Sequence, residues 1–114
     1  MAQYMTEEQY VEMAHAELSA LISALDRLDS DALQAELEND IITIELGDDA
    51  TYVINSHRAA RQIWMAAERN AWHFDFDSNS KQWIAAKSGD ELWSALRGAL
   101  AARLGSAAVA TLLP

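Results

Sequence analysis

The segment TYVINSHRAARQIW, residues 51–64, reads as two strands joined by a short polar, basic connection. Thr51–Asn55 opens it and Gln62–Ala66 closes it. Side chains alternate across a strand, so if Ile63 and Met65 face a core, Gln62 and Trp64 face the other way. By the same alternation Tyr52 and Ile54 point inward, and Thr51, Val53 and Asn55 point outward. A tryptophan aimed at solvent is the feature that the rest of the chain has to explain.

The period of two extends in both directions. Upstream, Ile42, Ile44 and Leu46 alternate with Ile41, Thr43 and Glu45, and Gly47-Asp48-Asp49 is a turn signal that pairs this strand with Thr51–Asn55 as a hairpin. Downstream, Trp72, Phe74 and Phe76 alternate with His73 and Asp75. Asp77-Ser78-Asn79-Ser80 is a further turn, and Lys81–Ala85 makes a last short strand. Leu33–Leu37 is a less regular strand candidate.

At the two ends the period becomes helical. Thr6-Glu7-Glu8-Gln9 fits a capping box, and Tyr10, Ala14, Leu18, Leu21, Leu25 and Leu28 share one face of a helix over 7–28. Ser88-Gly89-Asp90-Glu91 reads as a second capping box, followed by Leu92, Trp93, Leu96, Leu100 and Leu104, with Gly105 at the C-cap. Two helices with one apolar face each can cover one side of an antiparallel sheet and leave the other bare. The expected fold is therefore α+β, a two-layer α-β(5–6)-α sandwich. It forms a single domain over residues 1–114, with a core over about 7–105 and an apolar tail at 106–114 that packs against it.

Length and composition agree. The chain has 114 residues, 51% of them hydrophobic, and no cysteine, which excludes disulfides and thiolate metal sites. No apolar run has the length of a membrane span, and no basic-then-apolar leader is visible. The net charge is −10, and it is unevenly spread: residues 1–57 carry 13 Asp/Glu against Arg27 alone. Such a field repels nucleic acid and anionic membrane, and attracts cations or a basic protein surface.

Two constellations stand out. Asn55, Gln62, Trp64 and His73 gather on the bare sheet face, an amide, indole and imidazole mixture suited to a protein contact. On the first helix Glu8, Glu12, His15 and Asp26 fall within about 60° of one another, opposite the apolar face. Asp29 and Asp31 follow the helix end, and Glu36, Glu38 and Asp40 lie on the first strand and its turn. These groups are suited to a loosely held, hydrated divalent or ferric ion, or to a basic docking partner. A simple solvated helix face is the competing reading. His57, in the polar connection, reads as a solvent-exposed histidine.

The motifs TYVIN (51–55), RQIW (61–64), WHFDF (72–76), QWI (82–84) and SGDELW (88–93) resemble the frataxin family, including its bacterial CyaY-type members, over roughly residues 8–104. The resemblance implies an antiparallel sheet covered on one side by terminal helices, and a role in iron–sulfur cluster assembly. It implies iron, Fe(II) or Fe(III), weakly bound on an acidic ridge, and contact with the cysteine desulfurase and the scaffold protein, as iron donor or as regulator of sulfur transfer. Asp26, Asp29, Asp31 and Glu36 match acidic positions of the family; Glu12, His15, Glu38 and Asp40 are candidates from local geometry. Trp64, with Asn55, Gln62 and His73, matches the family's partner face. Ile22, Ser23 and Arg27 thin the ridge where relatives carry a dense acidic cluster. With no basic, acid-poor presequence visible, a bacterial cytoplasmic protein is expected, with a processed mitochondrial matrix form as the alternative. The resemblance implies a protein that is mostly monomeric, with an iron-dependent oligomer as an alternative state, and leaves open whether the chain is an enzyme. The alternative activity is a ferroxidase oxidising Fe(II) on the ridge.

Overall fold

A computed structural model describes residues 5–28, 31–47 and 50–114. The elements are α1 (Glu7–Asp26), β1 (Leu33–Glu38), β2 (Ile41–Leu46), β3 (Ala50–His57), a 3₁₀ turn (Arg58–Ala60), β4 (Gln62–Ala67), β5 (Asn70–Asp77), β6 (Gln82–Ala85), α2 (Leu92–Leu104) and a second 3₁₀ turn (Ala107–Val109). The six strands form one antiparallel meander in the order β1-β2-β3-β4-β5-β6. Both helices pack on one face of it, so the expected α+β sandwich is the observed fold.

The core lies between the helices and that face. Tyr10, Leu18, Leu21 and Leu25 of α1 meet Ile42, Ile44, Tyr52, Ile54, Ile63, Met65 and Phe74 of the sheet, and Leu92, Trp93, Leu96 and Leu100 of α2. Trp83 sits edge-on to both Tyr10 and Phe76. Among the described residues no polar or charged side chain is fully buried, and the inward positions are those that alternation assigned. Trp72 and Phe76 point inward from β5, next to the edge strand β6, but remain half-buried.

α1 begins at the expected capping box: Thr6 Oγ1 accepts from the Gln9 amide at 3.1 Å, and Gln9 Oε1 accepts from the Thr6 amide at 2.9 Å. The second helix differs from expectation. Its N-cap is Glu91, whose carboxylate accepts from the amides of Trp93 at 2.8 Å and Ser94 at 3.1 Å. A Glu in that position satisfies two of the orphan donors of the first turn, so the Ser88 box is not needed. Ser88 instead supports the preceding turn, accepting from the Asp90 amide at 3.3 Å. Gly105 ends α2 at φ +89°, as its glycine suggested.

The tail belongs to the core. Val109 and Leu112 are fully buried, and Arg97 Nη1 donates to the Leu112 carbonyl at 3.0 Å, tying the segment to α2. Among the described residues no helix is long and apolar enough to cross a membrane.

Candidate functional site

Strand pairing fixes which side chains share the uncovered face. Glu38, Ile41, Asn55, Trp64 and His73 stand opposite one another in a row across β1 to β5. The neighbouring row is His57, Gln62, Asp75 and Ile84. All four partner-face candidates, Asn55, Gln62, Trp64 and His73, therefore lie together on adjacent rows. Ile41, 43% exposed, adds an apolar side chain to the Trp64 row.

Trp64 is not a free indole. The His57 ring stacks on one side, centroids 3.8 Å apart at 11°, and the His73 ring on the other, at 4.1 Å and 14°. Its Nε1–H donates to Gln62 Oε1 at 2.8 Å, and Gln62 Nε2 donates to Asp75 Oδ1 at 3.1 Å. The reading of His57 as an exposed turn histidine is corrected: β3 runs two residues past Asn55, and alternation continues. Position 57 thereby lands on the same face as 51, 53 and 55. That continuation was the available signal. His57 is half-buried, and its Nδ1 is buried without a hydrogen-bond partner.

The acidic candidates are more dispersed. Glu12, His15 and Asp26 are exposed on α1, and Asp31 is exposed ahead of β1. Glu36 and Glu38 are also exposed, yet alternation turns them to the sheet face away from α1, because Leu33, Ala35 and Leu37 turn toward the core. The ridge is thus two strips flanking the β1 edge. One link joins the helix to the β1–β2 turn: His15 Nδ1 lies 3.0 Å from Asp40 Oδ1. Arg58 reaches Glu7 at 3.6 Å and lines a shallow depression with Glu8 and Glu12, partly offsetting charge at the start of α1. Among the described residues no three His, Asp or Glu side chains converge as a metal cage. Asp29 lies outside the described residues.

A groove of about 510 Å³ borders the free face, lined by Asn70, Trp72, His73, Lys87, Ser88 and Asp90. The Trp72 Nε1–H donates to Asp90 Oδ2 at 3.0 Å, and that bond, with one from Ser88, holds the Asp90 carboxyl below its usual range.

A bare antiparallel sheet face under two terminal helices, centred on an ordered tryptophan, defines an open-faced α+β sandwich. The frataxin-like domain family matches residues 3–106, and the chain belongs to that family. The iron–sulfur cluster assembly protein CyaY of Variovorax paradoxus is 30% identical over 96 residues, covering 81% of this chain and 84% of that protein. The fold is shared with frataxin from Psychromonas ingrahamii at TM-score 0.79 and 20% identity, over 88% of this chain and 92% of that one. It is shared as well with trimeric frataxin from the yeast Saccharomyces cerevisiae, complexed with ferrous iron, at TM-score 0.69 and 23% identity, over 96% and 91% of the two chains.

Proposed function

We propose that this chain is an iron-binding accessory protein of iron–sulfur cluster assembly that docks through its free sheet face onto the cysteine desulfurase–scaffold complex. The single observation carrying this reading is the row Ile41, Asn55, Trp64 and His73 on a face that neither helix covers. Ordered aromatic side chains on such a surface are the residue type that dominates protein contacts. Family membership supplies the pathway, and the relatives named iron–sulfur cluster assembly proteins support it.

Iron enters as cargo. Exposed carboxylates on the two strips beside β1 are hard oxygen donors, and water would complete the coordination of any ion they hold. That arrangement suits loose, exchangeable binding. Docking and metal then occupy neighbouring surfaces, since Glu38 begins the row that leads to Trp64.

The test is Trp64→Ala, measured for binding to the desulfurase–scaffold complex and for thermal stability. Affinity should fall on the order of tenfold or more, while the melting temperature stays close to that of the unsubstituted protein. Unchanged affinity would overturn the docking reading.

A further inference from the structure

The ring stack deepens the docking reading and rests on it. An indole on an uncovered sheet would ordinarily sample several rotamers, and a partner that orders it loses affinity to that ordering. Trp64 is ordered already. Its two faces are covered by the His57 and His73 rings, and its only donor is committed to Gln62. What remains for a partner is the edge of the indole, flanked by two imidazole edges.

The Nδ1 atom of His57 is the buried side-chain nitrogen that finds no partner among the described residues. Burying a polar atom without a hydrogen bond opposes folding. A phenyl ring could stack on Trp64 at the same spacing without that loss. Packing alone therefore does not favour histidine here, whereas a planar ring against the indole is what the geometry uses.

We propose that His57 is a positioning residue of the docking face. With His73 it clamps Trp64 edge-on, so that the desulfurase–scaffold complex meets a preformed ledge of three parallel rings. His57 acts through Trp64, by removing the indole's freedom before the encounter. The surroundings are consistent with a ring held by stacking. The charged groups nearest the stack in the strand register are Asp75 across from Gln62, and Arg58 next in the chain. Asp75 accepts from Gln62 and Arg58 reaches Glu7, so neither engages His57.

Three variants separate positioning from packing: His57→Ala, His57→Phe and Trp64→Ala. Each is measured for melting temperature, for the NMR resonance of the Trp64 indole N–H, and for binding to a bacterial cysteine desulfurase–scaffold complex. His57→Ala should move and broaden the indole resonance and weaken binding on the order of fivefold, with the fold intact. His57→Phe should restore binding. The inference is overturned if Trp64→Ala weakens binding but His57→Ala does not, or if the indole resonance stays in place in His57→Ala. It is equally overturned if His57→Phe binds as poorly as His57→Ala. If Trp64→Ala binds at full strength, the docking reading itself has failed, a result distinct from the others. Should His57→Ala not fold, His57→Leu, which keeps apolar bulk without a flat ring, takes its place against His57→Phe.

Discussion

Arg103, in the last turn of α2, grips both carboxylate oxygens of Glu68, a residue of the β4–β5 turn. The Tyr52 hydroxyl, from β3, donates to the same carboxylate at 2.6 Å and lies 3.1 Å from the Ala99 carbonyl. Three elements that are far apart in sequence are thus fastened at one end of the sandwich. The Arg103 guanidinium first, and the Tyr52 hydroxyl second, hold the Glu68 carboxyl down at about 2, from 4.5. Burial, reinforced by Glu68, pushes the Tyr52 phenol up to about 12.

The depressed Glu68 value makes this fastening acid-labile. A carboxylate whose folded pKa lies below its unfolded one contributes its full stability above the unfolded value, and loses it as pH falls through the folded value. Glu68→Gln should therefore melt below the unsubstituted protein at neutral pH. The gap should close as pH falls from 4.5 to about 2. Melting curves of both proteins across that range check it, and a gap that persists unchanged at the acid end would count against the latch.

The C-terminal segment offers a second prediction. Leu112 is fully buried and Val109 is 1% exposed, although both lie beyond the helix that closes the fold. Leu112→Ala should cost roughly 2–5 kcal/mol, the range for truncating a buried leucine. Urea denaturation measures it. A cost below about 0.5 kcal/mol, the size of an ordinary surface change, would show that the tail does not stay packed.

Much of this is legible in the sequence. Alternation at Ile42–Leu46, Tyr52–Ile54, Ile63–Met65 and Phe74 places each side chain on its observed face, because an antiparallel sheet covered on one side ties burial directly to residue parity. The same rule gathers Asn55, Gln62, Trp64 and His73. What escaped depends on where elements stop and on long-range contacts. His57 joins the site because β3 continues past Asn55, and polar residues leave that boundary unmarked. Glu91 replaces Ser88 as the cap because a longer side chain can reach back to two amides at once. The Glu68, Arg103 and Tyr52 fastening has no periodicity at all; its members meet only after the sheet and α2 are in place. The acidic ridge looked continuous in sequence, yet strand parity sends Glu36 and Glu38 to the face away from α1.

The β1–β2 hairpin turns on Asn39 and Asp40, both left-handed at φ +53° and +61°. This pair of positive φ values is the conformation that a two-residue hairpin of matching twist requires, and asparagine tolerates it better than other non-glycine residues. Asn39→Gly should leave stability nearly unchanged. Asn39→Val should cost on the order of 1–2 kcal/mol, the usual cost of a left-handed conformation for a residue with a Cβ. Equal stabilities for the two variants would contradict the turn geometry.

Iron is the sharpest test of the acidic half. Carboxylates split between two strips, with His15 paired to Asp40 and Glu7 to Arg58, leave single oxygen donors and no converging cage among the described residues. Loose binding to several partial sites is the expected consequence, because a hydrated hard cation can bridge one or two carboxylates through water. Fe(II) titrated without oxygen into isotopically labelled protein should perturb the amides around Glu12, His15, Glu36 and Glu38. The Trp64 indole should stay in place. Ca(II) should reproduce the pattern more weakly, since the ligands are oxygens apart from one imidazole, which favours the transition metal. His15→Ala should then reduce the preference for Fe(II) over Ca(II) while leaving the Glu36 and Glu38 response intact. If neither ion produces a localised change, the iron-binding part of the proposal fails. The acidic residues would then serve only to attract a basic partner, an interaction that weakens as salt is raised.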